Sequence, residues 1–444
     1  MNTIRLSDHF TVRRLLRFVA PSIVMMVFTS IYSVVDGLFV SNFAGKTPFA
    51  AVNLIMPVLM GLGTVGFMIG TGGSALVGMT LGLGEKERAN RLFSMLTAAG
   101  AAGGVALSVL GLVFLRPAAY ALGARGEMLE QCVIYGAVML VFQTFFILQI
   151  VFQSFFVTAE KPKLGLAVTV AAGLTNIVLD ALLVGVFRMG VAGAAAATGV
   201  SQLVGGAFPL WYFARKNSSL LRFARPEKDW RALVRACANG ASELMTNLSS
   251  SLVTALYNVQ LMRIAGEDGV AAYGVIMYVN FIFNAIFYGY SIGSAPVFSY
   301  HYGAGGRGEL KSLLRKSLGL TAVCGAFLTL AAEASAGPLS RIFVGYDAAL
   351  CAMTTRGFQL YALSFLVVGF NIFGSAFFTA LNNGAVSAAI SFVRTLVFQL
   401  LSIWLLPVWW GLDGVWLAVV VAELLALAVT ASLFAANRRR YGYL

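Results

Sequence analysis

The sequence predicts an all-α integral membrane protein, with twelve transmembrane helices arranged as two pseudo-symmetric lobes of six helices each. Three observations predict this class: an apolar composition, twelve long apolar runs and an internal repeat. Of the 444 residues, 59% are hydrophobic and only 11% are charged, whereas an average soluble domain has roughly 25% charged residues. A helix needs about twenty mostly apolar residues to cross a bilayer, so the chain has room for about a dozen spans.

Twelve apolar runs, separated by polar breaks, mark the predicted spans. Their approximate bounds are 15–43, 51–81, 92–115, 128–157, 164–187, 191–213, 232–264, 270–300, 317–337, 347–379, 385–408 and 413–436. The first run is far longer than the core of a signal peptide and no small-residue cleavage pattern follows it. We therefore expect the first span to remain in the mature protein.

The distribution of basic residues predicts the orientation of these spans. With the N-terminus placed inside, 23 of the 31 Lys and Arg residues fall in cytoplasmic segments and 7 in external loops. By the positive-inside rule, this ratio predicts a multi-pass protein of the plasma (inner) membrane with both termini in the cytoplasm. The same distribution accounts for the net charge of +13, so we expect the lipid bilayer and no nucleic acid as a partner.

The longest polar connection divides the chain into two halves. It covers residues 215–231 and separates the first six spans from the last six. We therefore predict an N-terminal lobe (1–214), a cytoplasmic linker (215–231) and a C-terminal lobe (232–444).

The two halves resemble each other when the chain is compared with itself at a shift of 221 residues. The matched pairs include Thr158-Ala159 with Thr379-Ala380, Gly190 with Gly411, and Gly193 with Gly414. Because six spans return the chain to its starting side, both halves have the same orientation in the membrane. Such a parallel repeat leaves a cleft between the lobes that rocking can expose to either side.

Acidic residues inside the first lobe predict a site for a mobile cation. A carboxylate at the centre of a membrane helix costs about 2.5–3.5 kcal/mol on insertion scales. Asp36, Asp180 and Thr198, in spans one, five and six, lie about 12–15 Å below the predicted outer surface at 1.5 Å per residue. Asn176 precedes Asp180 by four residues and shares its helix face. Two neighbouring carboxylates in low dielectric hold a proton or a small cation, so these four residues are the predicted H⁺ or Na⁺ coupling site.

Polar stripes in the second lobe predict a wet cavity that binds the substrate. Span seven places polar residues from Glu243 to Tyr257 at spacings of four, three, four and three, which puts them on one helix face. Span eight carries a similar stripe, and Gln149 with Gln153 does the same in span four. The predicted substrate-binding residues are Glu243, Asn247, Gln153, Tyr257, Asn280 and Asn284.

Both sites also have a simpler interpretation. In the first lobe, Asn176 and Asp180 would bond to a neighbouring helix while Asp36 pairs with a Lys or Arg. Basic partners inside the membrane are nearly absent, however, because Arg394 is the only Lys or Arg clearly inside a span. In the second lobe, the polar residues would join helices without binding any ligand.

The chain lacks the signatures of an enzyme or of a structural metal site. H-E-x-x-H and GxGD-type aspartate pairs do not occur, and the four cysteines form no Cys-x-x-Cys pair. G-x-S-x-G occurs once, from Gly289 to Gly293, but it lies inside the apolar run of span eight and not at the strand-to-helix turn that a nucleophile elbow requires. The two histidines, His9 and His301, fall in cytoplasmic segments. We therefore expect no enzymatic activity and no cofactor beyond the coupling ion.

Local sequence further resembles a known transporter family. Pro21, Val35-Asp36-Gly37 and Ala51-Val52-Asn53-Leu54, together with twelve spans in a parallel repeat, resemble the multidrug and toxic compound extrusion (MATE) transporters over nearly the full length. This resemblance implies a V-shaped pair of six-helix lobes with alternating access. It also implies a first-lobe cation site built by an Asp on helix one, Asn and Asp on helix five, and a Thr on helix six.

That implied site matches Asp36, Asn176, Asp180 and Thr198 residue by residue. In the second lobe, Glu243 fits the acidic position found on helix seven in one bacterial branch. Helix ten offers Asn371 in place of a carboxylate, so the resemblance does not extend to a second cation site.

The resemblance implies a function that agrees with the residues. We expect a monomeric antiporter that exports amphipathic, cationic small molecules in exchange for H⁺ or Na⁺. The alternative in the same class is an exporter or flippase of a lipid-linked or other large amphiphilic substrate. A lipid carrier needs a basic cluster deep in the cleft to hold phosphate, whereas the intramembrane charges here are mostly acidic.

Overall fold

The computed structural model describes residues 4–40, 43 and 46–443, and this part of the chain consists of helices without a strand. The helices are α1 (Val12–Phe39), α2 (Lys46–Gly82), α3 (Lys86–Ala121), α4 (Gly126–Thr158), α5 (Pro162–Leu179), α6 (Gly190–Ala214), α7 (Trp230–Asn239), α8 (Ala241–Gly303), α9 (Arg307–Val344), α10 (Ala348–Ala362), α11 (Phe365–Ala380), α12 (Gly384–Phe392) and α13 (Gln399–Tyr441). Among the π-helical segments that lie wholly within the described residues, Asp180–Val186 continues α5 and Val393–Phe398 joins α12 to α13. Residues 41 and 42 of the predicted first span lie outside the described residues.

Twelve spans follow from these helices. Nine helical stretches of the described chain are long and apolar enough to cross a membrane, and the α10–α11 pair, bent by 47°, supplies a tenth. Two of the nine are far longer than one span: Ala241–Gly303 has 63 residues and Gly384–Tyr441 has 58. Each of these two breaks in its middle and therefore holds two spans, which makes twelve in all.

Glycine with a positive φ produces both breaks. Gly266 in α8 has φ 65° and Gly411 in α13 has φ 54°, a region that residues with a Cβ rarely adopt. The chain reverses direction at Gly266, because Tyr257 before the break stacks on Tyr273 after it, with ring centroids 5.1 Å apart. The two halves of α8 therefore lie side by side.

The lobes pack tightly against each other at the predicted cytoplasmic end. A Cβ added to Gly289 of α8 would lie 2.5 Å from Cα of Ile23 on α1, and one added to Gly82 of α2 would lie 2.1 Å from the carbonyl oxygen of Tyr300. Real Cβ atoms essentially never come that close to other atoms. Glycine therefore lets α1 and α2 of the first lobe contact α8 of the second through their backbones.

The N-terminal segment that precedes α1 also joins the two lobes. Its side chains Leu6 and Phe10 are fully buried. The backbone N–H of Leu6 donates to Oε1 of Glu160, in the turn between α4 and α5, at 2.6 Å. The N–H of Phe10 donates to Oε1 of Glu309, in the first turn of α9, at 2.9 Å. One short segment thus binds a carboxylate from each lobe.

Candidate functional site

The four residues of the predicted cation site lie together inside the first lobe. Asn176 Nδ2 donates to Thr198 Oγ1 at 3.3 Å, and Thr198 Oγ1 donates to Asp36 Oδ1 at 3.5 Å. The carboxyl groups of Asp36 and Asp180 lie beside each other. Asp180 is completely buried and Asn176 is 1% exposed. Helices α1, α5 and α6 therefore bring two carboxylates, an amide and a hydroxyl into one cluster.

Several oxygens of this cluster have no hydrogen-bond donor. Both carboxylate oxygens of Asp180 and the amide oxygen of Asn176 are buried without a partner. The ion pairs formed by the described residues include neither Asp36 nor Asp180. The simpler interpretation, in which a fixed Lys or Arg neutralises Asp36, therefore does not hold for that part of the chain. A buried carboxylate without any partner is costly, so the cluster suits a mobile proton or cation.

The local backbone and one further side chain shape this site. The helix changes from α to π geometry at Asp180, and π segments alter the register of side chains at functional sites. Tyr135 of α4 is 1% exposed and lies within electrostatic reach of both carboxylates. Sequence analysis missed Tyr135, because a single tyrosine in an apolar span carries no periodic signal.

The second lobe contains a polar cavity of about 170 Å³. Both halves of α8, the junction of α10 and α11, the second π segment and α13 line it. Three of the predicted substrate-binding residues, Tyr257, Asn280 and Asn284, are among the lining residues. The Tyr257 hydroxyl donates to Oε1 of Gln399 at 3.1 Å, and Asn284 Nδ2 donates to Asn280 Oδ1 at 2.8 Å. The amide oxygen of Asn284 is buried without a partner.

The other three predicted substrate residues lie elsewhere. Glu243 is half-buried and within electrostatic reach of Arg394. Asn247 donates its amide to the backbone carbonyl of Glu243 at 2.8 Å, one turn earlier on the same helix. Gln153 lines a separate small cavity inside the first lobe, next to Gln149. The six residues therefore do not form a single pocket, because Gln153 belongs to the other lobe and Glu243 and Asn247 do not line the second-lobe cavity.

Arg394 has a carboxylate partner that the sequence analysis did not identify. Its Nε donates to the two carboxylate oxygens of Glu423 at 2.8 and 3.0 Å. Asn371 Nδ2 donates to Oε2 of the same carboxylate at 2.8 Å, and Thr430 Oγ1 donates to Asn371 Oδ1 at 2.9 Å. The side chains of Arg394 and Glu423 are only 9% and 3% exposed. A glutamate inside the apolar run 413–436 was the signal in the sequence for this site.

Comparison with known families identifies the family to which this chain belongs. A family model described as MatE matches residues 21–182 and 244–405, which together cover well over half of the chain. The chain belongs to the MatE family. The two MatE matches begin 223 residues apart, at 21 and 244, close to the shift of 221 in the self-comparison. MatE proteins are transporters, and this membership agrees with the expectation that the chain is not an enzyme.

Curated relatives of this MatE chain are similar to it over most of their length. The multidrug export protein MepA of Staphylococcus saprophyticus is 25% identical over 384 residues, which cover 85% of this chain and 83% of that protein. MepA of Staphylococcus aureus strain MRSA252 is 23% identical over 424 residues, covering 94% and 92%.

Solved structures share the fold. The outward-facing conformation of a multidrug resistance MATE family transporter of the MOP superfamily has a TM-score of 0.92 at 21% identity, over 100% of this chain and 98% of that one. A MATE structure in the straight conformation gives 0.91 at 21% identity, over 98% and 97%. The predicted fold class of twelve transmembrane helices in two lobes is therefore confirmed, and with it the resemblance to MATE transporters.

Proposed function

We propose that this MatE protein is a secondary active efflux transporter that exchanges H⁺ or Na⁺ for amphipathic, cationic small molecules. It would act as a monomer in the plasma membrane, with both termini in the cytoplasm. Family membership and the MepA relatives, named as multidrug export proteins, support efflux of small molecules. The concentration of Lys and Arg in the predicted cytoplasmic segments supports this orientation of the termini.

The unpaired carboxylates of Asp36 and Asp180 carry the proposal. Without a cation, the two adjacent carboxylates repel each other, and both buried oxygens of Asp180 lack a hydrogen-bond donor. A proton or Na⁺ that binds between them removes both costs, so its binding energy draws α1 towards α5 and α6. Asn176 and Thr198 orient the cluster through their hydrogen bonds. Because α1 also packs against α8 of the second lobe, a change of α1 is transmitted to the interface between the lobes.

The substrate would bind to the second lobe through its polar cavity. Glu243 supplies a negative charge close to this cavity, while Tyr257 and the Asn280–Asn284 pair supply polar contacts. Aromatic rings around a cavity also attract cations through their π faces. A cationic guest and the coupling ion would thus occupy different lobes, and the movement of the lobes would couple their binding.

Transport by reconstituted protein tests this function. We expect Asp36→Asn in proteoliposomes to abolish efflux of a cationic dye driven by a pH or Na⁺ gradient, because a neutral amide cannot exchange a cation. Asp268→Asn is the matched control, since Asp268 is exposed in the turn that follows Gly266. If gradient-driven efflux by Asp36→Asn remains intact at every pH, the proposed coupling site is wrong.

The lipid-carrier alternative receives less support. A polyanionic head group needs several basic side chains in the membrane interior. Arg394, which lies inside a predicted span, already binds Glu423 and is therefore not free to bind a head group. A flippase assay with fluorescent lipid-linked sugars would favour the alternative if transport exceeded that of cationic dyes.

A further inference from the structure

The ion pair of the second lobe lies close to where the repeat would place a second cation site. In the shift of 221 residues, Tyr257 corresponds to Asp36 and Val419 corresponds to Thr198. Both Tyr257 and Val419 line the second-lobe cavity, together with Arg394 and Glu423. Glu423 follows Val419 by four residues and so lies on the same face of α13, one turn deeper.

The buried carboxylates of the two lobes differ in their hydrogen-bond and ion-pair partners. In the first lobe, both oxygens of Asp180 are buried without a donor. In the second lobe, both oxygens of Glu423 accept from Arg394 Nε, and one also accepts from Asn371. The guanidinium is a permanent charge that no ordinary pH removes. The second-lobe carboxylate is therefore neutralised by a cation that belongs to the chain.

We propose that Arg394 is a tethered cation that replaces a mobile ion in the second lobe. Glu423 then never exchanges H⁺ or Na⁺, and ion exchange is confined to the first lobe. This inference rests on the proposed function, because it assumes that the first lobe exchanges an ion. It assigns Arg394 as the residue that sets the number of ions bound per molecule.

Removal of Arg394 would expose a latent cation site. Among the described residues, the other charged group within electrostatic reach of the guanidinium is Glu243 of α8, and the side chains of Tyr257, Tyr288 and Tyr361 line the same cavity. Tyrosine hydroxyls carry no positive charge, so they cannot neutralise a carboxylate. Without Arg394, the cavity carboxylate of Glu423 and the nearby Glu243 would have no fixed cation beside them among the described residues, an arrangement similar to that of the first lobe. The cavity should then take up a proton or Na⁺ from solution.

Ion counting with purified protein tests this inference. Proton uptake is measured with an indicator dye in weakly buffered detergent solution, and ²²Na⁺ binding by scintillation proximity. We expect Arg394→Gln to bind one more monovalent cation per molecule than the wild type, and Arg394→Gln/Glu423→Gln to return to the wild-type number. Arg394→Lys keeps a fixed charge and should also bind the wild-type number. If Arg394 instead had a purely structural role that depends on the shape of the guanidinium, Arg394→Lys would bind the same number of ions as Arg394→Gln.

Three results would overturn the proposal. The first is a folded Arg394→Gln protein that binds no extra ion, and the second is an extra ion that persists in the double variant. The third is a Glu423→Gln protein that binds one ion fewer than the wild type, because Glu423 would then have exchanged that ion. This variant also provides a test if Arg394→Gln does not fold. Failure of the proposed function would give a different result from failure of this inference. In that case Asp36→Asn would bind as many ions as the wild type, while Arg394→Gln would still bind one more.

Discussion

At the residue scale, the first-lobe cluster depends on single side chains that have few alternatives. Asn176 joins α5 to α6 within the cluster, because its amide donates to Thr198, which in turn donates to Asp36 of α1. The amide oxygen of Asn176 has no donor of its own. In the proposed coupling site Asn176 therefore has two roles, one as a hydrogen-bond donor and one as an oxygen ligand of the ion.

Asn176→Ala should weaken ion binding without unfolding the protein. Loss of one hydrogen bond costs about 0.5–1.5 kcal/mol, so the ion concentration for half-maximal transport should rise about tenfold or less. Dye efflux measured against Na⁺ concentration and against pH checks this. Thr175→Ala is the control, because the Thr175 hydroxyl bonds only to the carbonyl of Ala171 on its own helix. Equal ion dependence in the two variants would contradict the role of Asn176.

The ion pair of Arg394 should matter far more for stability than an exposed pair. Removing one partner of a buried pair leaves an uncompensated charge and costs about 3–5 kcal/mol. Glu423→Ala should therefore lower the thermal unfolding midpoint strongly in detergent. Asp413→Ala, which removes the exposed partner of Arg356, should leave the midpoint nearly unchanged. A similar midpoint for both variants would show that the buried pair contributes little.

At the scale of elements, the long helices show how one residue divides two spans. Gly266 has a φ of 65° and its Cβ position faces open space, so a substitution there strains only the backbone. Gly274 lies in the same helix with ordinary φ and equally open space. The two glycines thus separate the effect of backbone conformation from that of packing.

Gly266→Ala should lower the free energy of unfolding by about 1–3 kcal/mol, because the backbone at φ 65° and ψ −150° lies in a region essentially restricted to glycine. Gly274→Ala should cause no loss, because alanine is favoured over glycine inside a helix. Denaturant unfolding in mixed micelles, followed by circular dichroism, measures both. Equal stability of the two variants would mean that the break at Gly266 does not depend on positive φ.

At the scale of the whole molecule, the N-terminal segment connects both lobes at the predicted cytoplasmic end. Glu309, which precedes predicted span nine, accepts from the N–H of Phe10 and contacts the His9 ring, and His301 also faces it. Burial opposes ionisation of Glu309, but these contacts outweigh burial and hold its pKa below the ordinary value for a carboxyl group. A carboxylate with a lowered pKa contributes stability above its unfolded pKa and loses it as the pH falls through the folded pKa.

Acidification should therefore release the N-terminal segment from the second lobe. We expect hydrogen exchange of the Phe10 amide to become faster at low pH, after correction for the intrinsic rate. In Glu309→Gln this amide should exchange fast at every pH. The variant Glu333→Gln is the control, because its charge lies farther along α9 and forms no ion pair with the described residues. A pH-independent Phe10 amide in the wild type would contradict this interpretation.

Much of the candidate site followed from helix periodicity and depth. The spacing of four residues between Asn176 and Asp180, and the similar depth of Asp36 and Thr198, correctly indicated residues that lie together. The same reasoning did not indicate that Gln153 lines a cavity of its own in the first lobe, because a stripe on one helix does not say which cavity that helix faces. It also failed for Glu423, because the partner of Arg394 lies 29 residues away on another span.

The sequence by itself determined the twelve spans and their division into two lobes, because hydropathy and repeat spacing are properties of contiguous segments. Only the tertiary structure decided which charges are paired, because that depends on how each helix is rotated about its axis against its neighbours. Helical periodicity defines the faces of one helix and leaves this rotation open. For that reason the unpaired Asp180 and the paired Glu423, both carboxylates in apolar runs, could be told apart only in the packed molecule.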